Sequence, residues 1–212
     1  MQDSRPTELA RLSLILDLAE RAALAAFFGA LCWSLLRSWQ DTGDAVSLML
    51  LASEGSVVAF VMIRRFASDV SMRPTDWLIA LLGTTAPLLV RPTGGEALAS
   101  VLVCVPLMLA GFTLQIAAKL TLRRSFGVVA ANRGVKIGGP YRLVRHPMYA
   151  GYFMTQIAFL LANPSAWNAA VYAIAVTCQI SRILAEERVL NRDASYRAFA
   201  AAVPYRLAPG IF

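Results

Sequence analysis

The chain has 212 residues, of which 58% are hydrophobic and only 16% charged, with a mean hydropathy of +0.58. A soluble chain needs about a quarter of its residues charged to cover its surface, so this composition excludes an ordinary soluble domain and fits an integral membrane protein of several helices. The formal net charge of +7 is spread along the chain rather than clustered, which argues for a membrane surface and against nucleic acid.

Residues 1–20 are amphipathic, with Leu9, Leu12, Ile15, Leu16 and Ala19 at helical spacing, and predict a short helix lying in the membrane interface. This polar segment, which holds Asp3, Glu8, Asp17 and Glu20, gives neither the basic start nor the small cleavage-site residues of a signal peptide, so the first apolar helix is expected to stay. That helix is predicted over Ala22 to Trp39 and is broken by Asp41-Thr42-Gly43-Asp44. The second runs from Val46 to Ile63 and carries Glu54 near its middle, a costly charge that is functional, met by a polar neighbour or simply protonated. Arg73-Pro74-Thr75-Asp76 opens the third helix, with Thr75 or Asp76 as N-cap. It spans Trp77 to Val90, and Pro87 should kink its end. The fourth helix is predicted from Ala97 to Leu122, the fifth from Pro147 to Ala162, and the sixth from Ala166 to Leu190 after the Asn163-Pro164-Ser165 turn. Cys32, Cys104 and Cys178 lie far apart inside apolar runs, a spacing that suits packing rather than a metal or disulfide set.

The expectation is therefore an all-α, polytopic transmembrane bundle of about six spans, or five if the third and fourth helices merge. It ends in a helical hairpin and a short cytosolic tail. Three regions follow: the amphipathic segment 1–20, helices one to four over 21–122, and a catalytic region over 123–212 made of a cytosolic loop, the hairpin and a C-terminal cap. With six spans, eighteen of the twenty basic residues fall on one side, and only Arg37 and Arg91 on the other. The positive-inside rule then puts both termini in the cytoplasm. Short loops and abundant alanine point to a bacterial inner membrane.

The chemistry concentrates in Gly138-Gly139-Pro140-Tyr141-Arg142-Leu143-Val144-Arg145-His146-Pro147-Met148-Tyr149-Ala150-Gly151, which includes the only histidine. Glycines free the backbone, and Pro147 suits the first position of a helix, whose start favours a carboxylate or phosphate. Arg142 and Arg145 add charge, while Tyr149 beside Gly151 could seat a flat heterocycle. The same residue types would also make a phospholipid-headgroup anchor, and residue chemistry leaves both open. A second cluster, Arg182, Glu186, Glu187 and Arg188 and then Asn191 to Tyr196, reads as an ordinary solvated helix end unless the hairpin brings it level with His146. In that case one carboxylate faces a cationic helix start across a gap fit for a zwitterion.

The run Gly139 to Gly151, with Glu186-Glu187-Arg188-Val189-Leu190 and a Tyr-then-Val-Pro tail, resembles the isoprenylcysteine carboxyl methyltransferase and phospholipid methyltransferase superfamily over about residues 120–212. The resemblance implies S-adenosylmethionine as cofactor, bound from the cytosol under the C-terminal segment, and a lipid or prenylated acceptor arriving from the bilayer. It implies that Gly139, Pro140, Tyr141, Arg145, His146, Pro147, Tyr149 and Gly151 line the cofactor pocket. One of Glu186 and Glu187, with Glu187 taken first, would lie near the cofactor's amino group, and Arg182 would orient the acceptor. The tail departs from the family pattern at Phe199 and around Val203 to Pro209, which bears on the acceptor more than on the cofactor.

A carboxylate acceptor is already ionised at neutral pH and needs only alignment, with Arg182 or Arg206 to hold it. An amine must lose a proton, for which a glutamate or His146 would serve; a thiol needs its thiolate stabilised. Isoprenylcysteine-type carboxyl methylation is the nearest match, followed by phospholipid amine and small-thiol methylation. The reading from another class is a membrane scaffold or transporter subunit.

Overall fold

The computed structural model describes residues 5–43, 45–67, 69–93, 96–210 and 212, with side chains from residue 11 onward except those of 42, 45–50, 52–54 and 69. Glu54 thus lies outside the described side chains. The described residues form seven α-helices and one pair of two-residue strands, grouped in two compact units.

The first unit holds α1 (Arg5–Thr42), α2 (Ala45–Ile63), the strands β1 (Asp69–Val70) and β2 (Ala131–Asn132), and the turn Leu122–Gly127. The predicted separation of an interfacial segment from the first helix does not occur: α1 is one helix of 38 residues. Nothing between Glu20 and Ala22 breaks it, and the alanine-rich sequence beyond favours helix. Its amphipathicity is also inverted. Leu12 and Ile15 are 45% and 60% exposed, whereas Asp17 and Glu20 are buried. The acids turn inward because cations await them. Arg64 Nη2 lies 3.1 Å from Asp17 Oδ1 and 3.0 Å from Glu20 Oε2, and Arg133 Nη2 lies 2.6 and 3.0 Å from the same two atoms. β1 and β2 pair antiparallel, Asp69 with Asn132 and Val70 with Ala131.

The second unit holds the remaining helices. α3 (Pro74–Thr85) begins at Pro74, with Arg73 as an N-cap that makes no side-chain capping bond. This corrects the expectation of Thr75 or Asp76 as N-cap. Asp76 instead sits in the first turn, where it accepts from Ser71 and from Arg188 Nη1 at 3.2 Å. At Ala86 the chain tightens into a 3-10 turn through Leu89 that contains Pro87, the point where a kink is expected. α4 (Val101–Leu122) starts four residues later than predicted. α5 (Pro147–Ala162) and α6 (Ala166–Leu190) have the predicted bounds. α7 (Ala194–Ala202) is a helix within the expected tail. Asp193 caps it, accepting from the Ser195 N–H at 2.9 Å, an N-cap signal legible in the sequence.

Ser165 caps α6 through the Asn168 N–H at 3.0 Å. Buried Asn168 then ties the hairpin turn to the loop after α3. Its amide donates to Arg91 O and Asn163 O, both at 2.9 Å, and accepts from the Arg91 N–H at 3.0 Å. α4 meets α5 through bare backbone. A Cβ on Gly151 would lie 2.6 Å from Gly111 O, and one on Gly111 would lie 2.8 Å from Gly151 O.

Among the described residues two helical stretches, Val101–Ser125 and Ala166–Leu190, are long and apolar enough to cross a membrane. The first shows an apolar exterior, with Val101 and Leu102 at 69% and 82% exposure. An uncovered face of that kind suits lipid contact.

Candidate active site

Pro147 has no N–H to lose and occupies the first turn of α5, so the helix begins there with His146 as N-cap and no side chain capping it. Just upstream, Gly139 takes a φ of +53°, a conformation that favours glycine. It initiates the 3-10 turn Gly139–Arg142. A Cβ there would come within 2.8 Å of Thr121 Oγ1 on α4. The turn buries Tyr141 and leaves Arg142 exposed.

α5 and α6 run antiparallel, and the start of one lies level with the end of the other. Glu187, buried on α6, is the hub. Its Oε1 accepts from Arg145 Nε at 2.8 Å and from Tyr196 Oη at 3.3 Å, and stands 3.2 Å from His146 Nε2; its Oε2 accepts from Arg206 Nε at 2.8 Å. Both oxygens are thus occupied by the chain itself. Charge-assisted bonds of this kind are the strong ones, and they join four segments: the loop before α5, α6, α7 and the C-terminal segment Val203–Arg206.

That C-terminal segment is strapped down by backbone as well. The Arg145 N–H donates to Tyr205 O at 2.9 Å and the His146 N–H to Arg206 O at 2.8 Å. Arg145 Nη1 donates to Val203 O at 3.0 Å and Pro204 O at 2.8 Å. Arg145 therefore spends its guanidinium on Glu187 and the strap.

Glu186 has a different setting. Its side chain is 22% exposed, against 8% for Glu187. Its Oε1 accepts from the Tyr149 hydroxyl, and its Oε2 lies 3.7 Å from His146 Nδ1. The rings of His146, Tyr149 and Tyr152 follow one another edge to face, with centroids 5.8 and 6.2 Å apart. Burial first, and then the Glu186 charge, raises the Tyr141 phenol well above its usual value. Burial and then Glu187 raise Tyr196 likewise.

Arg182 is buried one turn before Glu186. Nη2 donates to Val128 O at 2.9 Å, Nη1 reaches Thr84 Oγ1 at 3.4 Å, and the guanidinium carbon stands 5.4 Å from the Tyr149 ring centre. Arg182 and Glu186 thus meet the same tyrosine from opposite chemical sides.

Of the residues singled out by sequence, Arg145, His146, Glu187 and Arg206 meet in one cluster, and Tyr149, Glu186 and Arg182 in an adjoining one. Tyr141 and Pro147 are buried beside them. Pro140 sits in the 3-10 turn. Gly139 and Gly151 lie against α4, where they permit close packing. Tyr196 is part of the Glu187 cluster although sequence assigned it no role. Its position at the third residue of a capped, alanine-rich helix was the available signal.

Residues 99–196 match the family model described as phospholipid methyltransferase. The match begins just before α4 and ends at Tyr196, so it takes in the whole hairpin and leaves the strap outside. No curated protein sequence matches the chain.

Proposed function

We propose, from the match of residues 99–196 to the phospholipid methyltransferase family model, that this membrane protein transfers a methyl group from S-adenosylmethionine to a lipid-borne acceptor. One observation carries the reading: Glu187 is saturated by four donors from the chain, while its neighbour Glu186 remains partly exposed beside Tyr149 and His146.

The site fits the cofactor by its donor and acceptor set. Glu186 offers a carboxylate for an ammonium group, and the tyrosine faces suit a sulfonium cation. The start of α5 suits a carboxylate. Gly139, Pro140, Tyr141, His146 and Tyr149 would surround it, with Glu186 rather than Glu187 on its amino group. When bound, S-adenosylmethionine supplies an electrophilic methyl group on sulfur. The chain's own residues contribute position, with the strap Val203–Arg206 closing the site and excluding water.

For the acceptor, the buried guanidinium of Arg182 beside Tyr149 favours a carboxylate, as in isoprenylcysteine methylation, which needs no base. The family match and the Glu186–His146 pair favour the second reading, an amine phospholipid whose proton Glu186 or His146 would take. Six spans with both termini cytoplasmic, in a bacterial inner membrane, complete the proposal.

Purified protein in detergent should bind radiolabelled S-adenosylmethionine saturably, and Glu186→Gln and His146→Ala should each weaken that binding about tenfold or more. Absence of saturable binding would leave the scaffold reading. Supplying a prenylcysteine, an ethanolamine phospholipid and an alkyl thiol, and following methyl incorporation, separates the acceptors. Methylation of the amine lipid alone rejects the carboxylate reading.

A further inference from the structure

The first unit has a cleft of its own. α2 ends at Ile63, where its last carbonyls lack helical partners, and arginine side chains meet them. Arg21 donates to Met62 O at 3.3 Å and Arg64 O at 3.1 Å, and Arg124 Nε donates to Ile63 O at 3.0 Å. Cations are also favoured there by the helix dipole. These contacts hold Arg21 and Arg124 in the lining of an open cavity of about 760 Å³, which Arg64 and Arg65 also line.

The charges do not cancel. Asp17 and Glu20 balance Arg64 and Arg133 in the buried cluster. Asp17 also approaches Arg21, at 3.7 Å. Arg65 and Arg124 line the cleft beyond these pairs, and no acidic residue lines it among the described residues. Arg64 is buried, and both of its carboxylate contacts are made through Nη2. Its Nε and Nη1 have no hydrogen-bond partner among the described residues, an expensive omission for a buried cation. Burial lowers the Arg64 pKa, with Glu20 working against that shift.

The rest of the lining is apolar. Met62, Ile63 and Phe66 are each more than half exposed, and Arg21 lies over the Phe66 ring at 4.9 Å. Guanidinium groups beside an uncovered apolar wall match a phosphate with a hydrocarbon chain attached. We propose that this cleft is a phosphate-binding site for an anionic phospholipid headgroup, with the upper acyl chain lying on Met62, Ile63 and Phe66. The site is independent of the methyl-transfer reading and lies wholly within the first unit.

The test uses the full chain in detergent, titrated separately with dihexanoyl phosphatidic acid, dihexanoyl phosphatidylcholine and inorganic phosphate. The melting temperature and saturable binding are followed. Phosphatidic acid should bind saturably, at least about tenfold tighter than phosphatidylcholine, and R65Q/R124Q should weaken it about tenfold. Since Arg124 also caps α2, R65Q alone, whose folding is checked by circular dichroism, should give a smaller loss in the same direction. Equal binding by inorganic phosphate, lost in the same variants, would keep the anion site and name free phosphate as its source. Equal binding of both lipids, or binding unchanged in R65Q and R65Q/R124Q, overturns the proposal.

Discussion

Two adjacent glutamates that look interchangeable in sequence have opposite employment. Helical geometry points neighbours about 100° apart, so Glu187 turns into the bundle toward Arg145, Arg206 and Tyr196, and Glu186 turns toward Tyr149 and His146. Removing one member of a buried, hydrogen-bonded charge cluster leaves the others uncompensated, which costs about 3–5 kcal/mol. Glu187→Gln should therefore lower the melting temperature strongly and expose the C-terminal strap to protease. Glu186→Gln, at a partly exposed position, should leave the melting temperature nearly unchanged while weakening cofactor binding. Thermal unfolding and labelled-cofactor binding on the two variants would invert this assignment if Glu187→Gln proved stable and Glu186→Gln unfolded. Arg206 is about one-third exposed, so Arg206→Gln should loosen the strap with a smaller loss of stability than Glu187→Gln, read as faster proteolysis after Ala202.

The hairpin works as an element because α5 is anchored at both ends and along one face. Asn168 fixes its turn, the strap fixes its start, and Gly151 lets α4 approach to backbone contact. Gly151→Ala would force a methyl against Gly111 O and the side chain of Gln115. Overpacking of this kind costs about 1–3 kcal/mol and should displace α5 enough to reduce methyl transfer. Gly138→Ala is the control, since its Cβ would meet only Thr121 Cγ2 at 4.0 Å; it should be close to neutral in thermal unfolding and in activity. The bounds of α5 and α6 are legible in sequence because proline, serine and the Asn-Pro-Ser turn punctuate them. α1 is misread because its acids resemble an interfacial polar face, whereas they serve partners 47 and 116 residues away. No local pattern carries that information.

For the molecule as a whole, the proposed orientation rests on the distribution of basic residues. Under the six-span proposal, Glu96 faces the outside, and Ile137 and Arg192 face the cytoplasm. In a background lacking the native cysteines, Glu96→Cys should react with a membrane-impermeant maleimide applied to intact cells, and Ile137→Cys and Arg192→Cys only after permeabilisation. Labelling of Arg192→Cys in intact cells would refute the proposed topology. Arg133→Ala should uncover the buried carboxylates of the first unit and speed hydrogen exchange along the first half of α1.

Composition and hydrophobic runs were enough to establish a helical membrane chain, and proline, serine and the Asn-Pro-Ser turn to bound its α5–α6 hairpin, since lipid solvation and helix punctuation are local properties. Which carboxylate is consumed in holding the fold, and which stays available, is a different kind of fact. It depends on Arg145, Tyr196 and Arg206 arriving at Glu187 from three other segments, and long-range pairing of that sort is fixed by packing rather than by sequence neighbours.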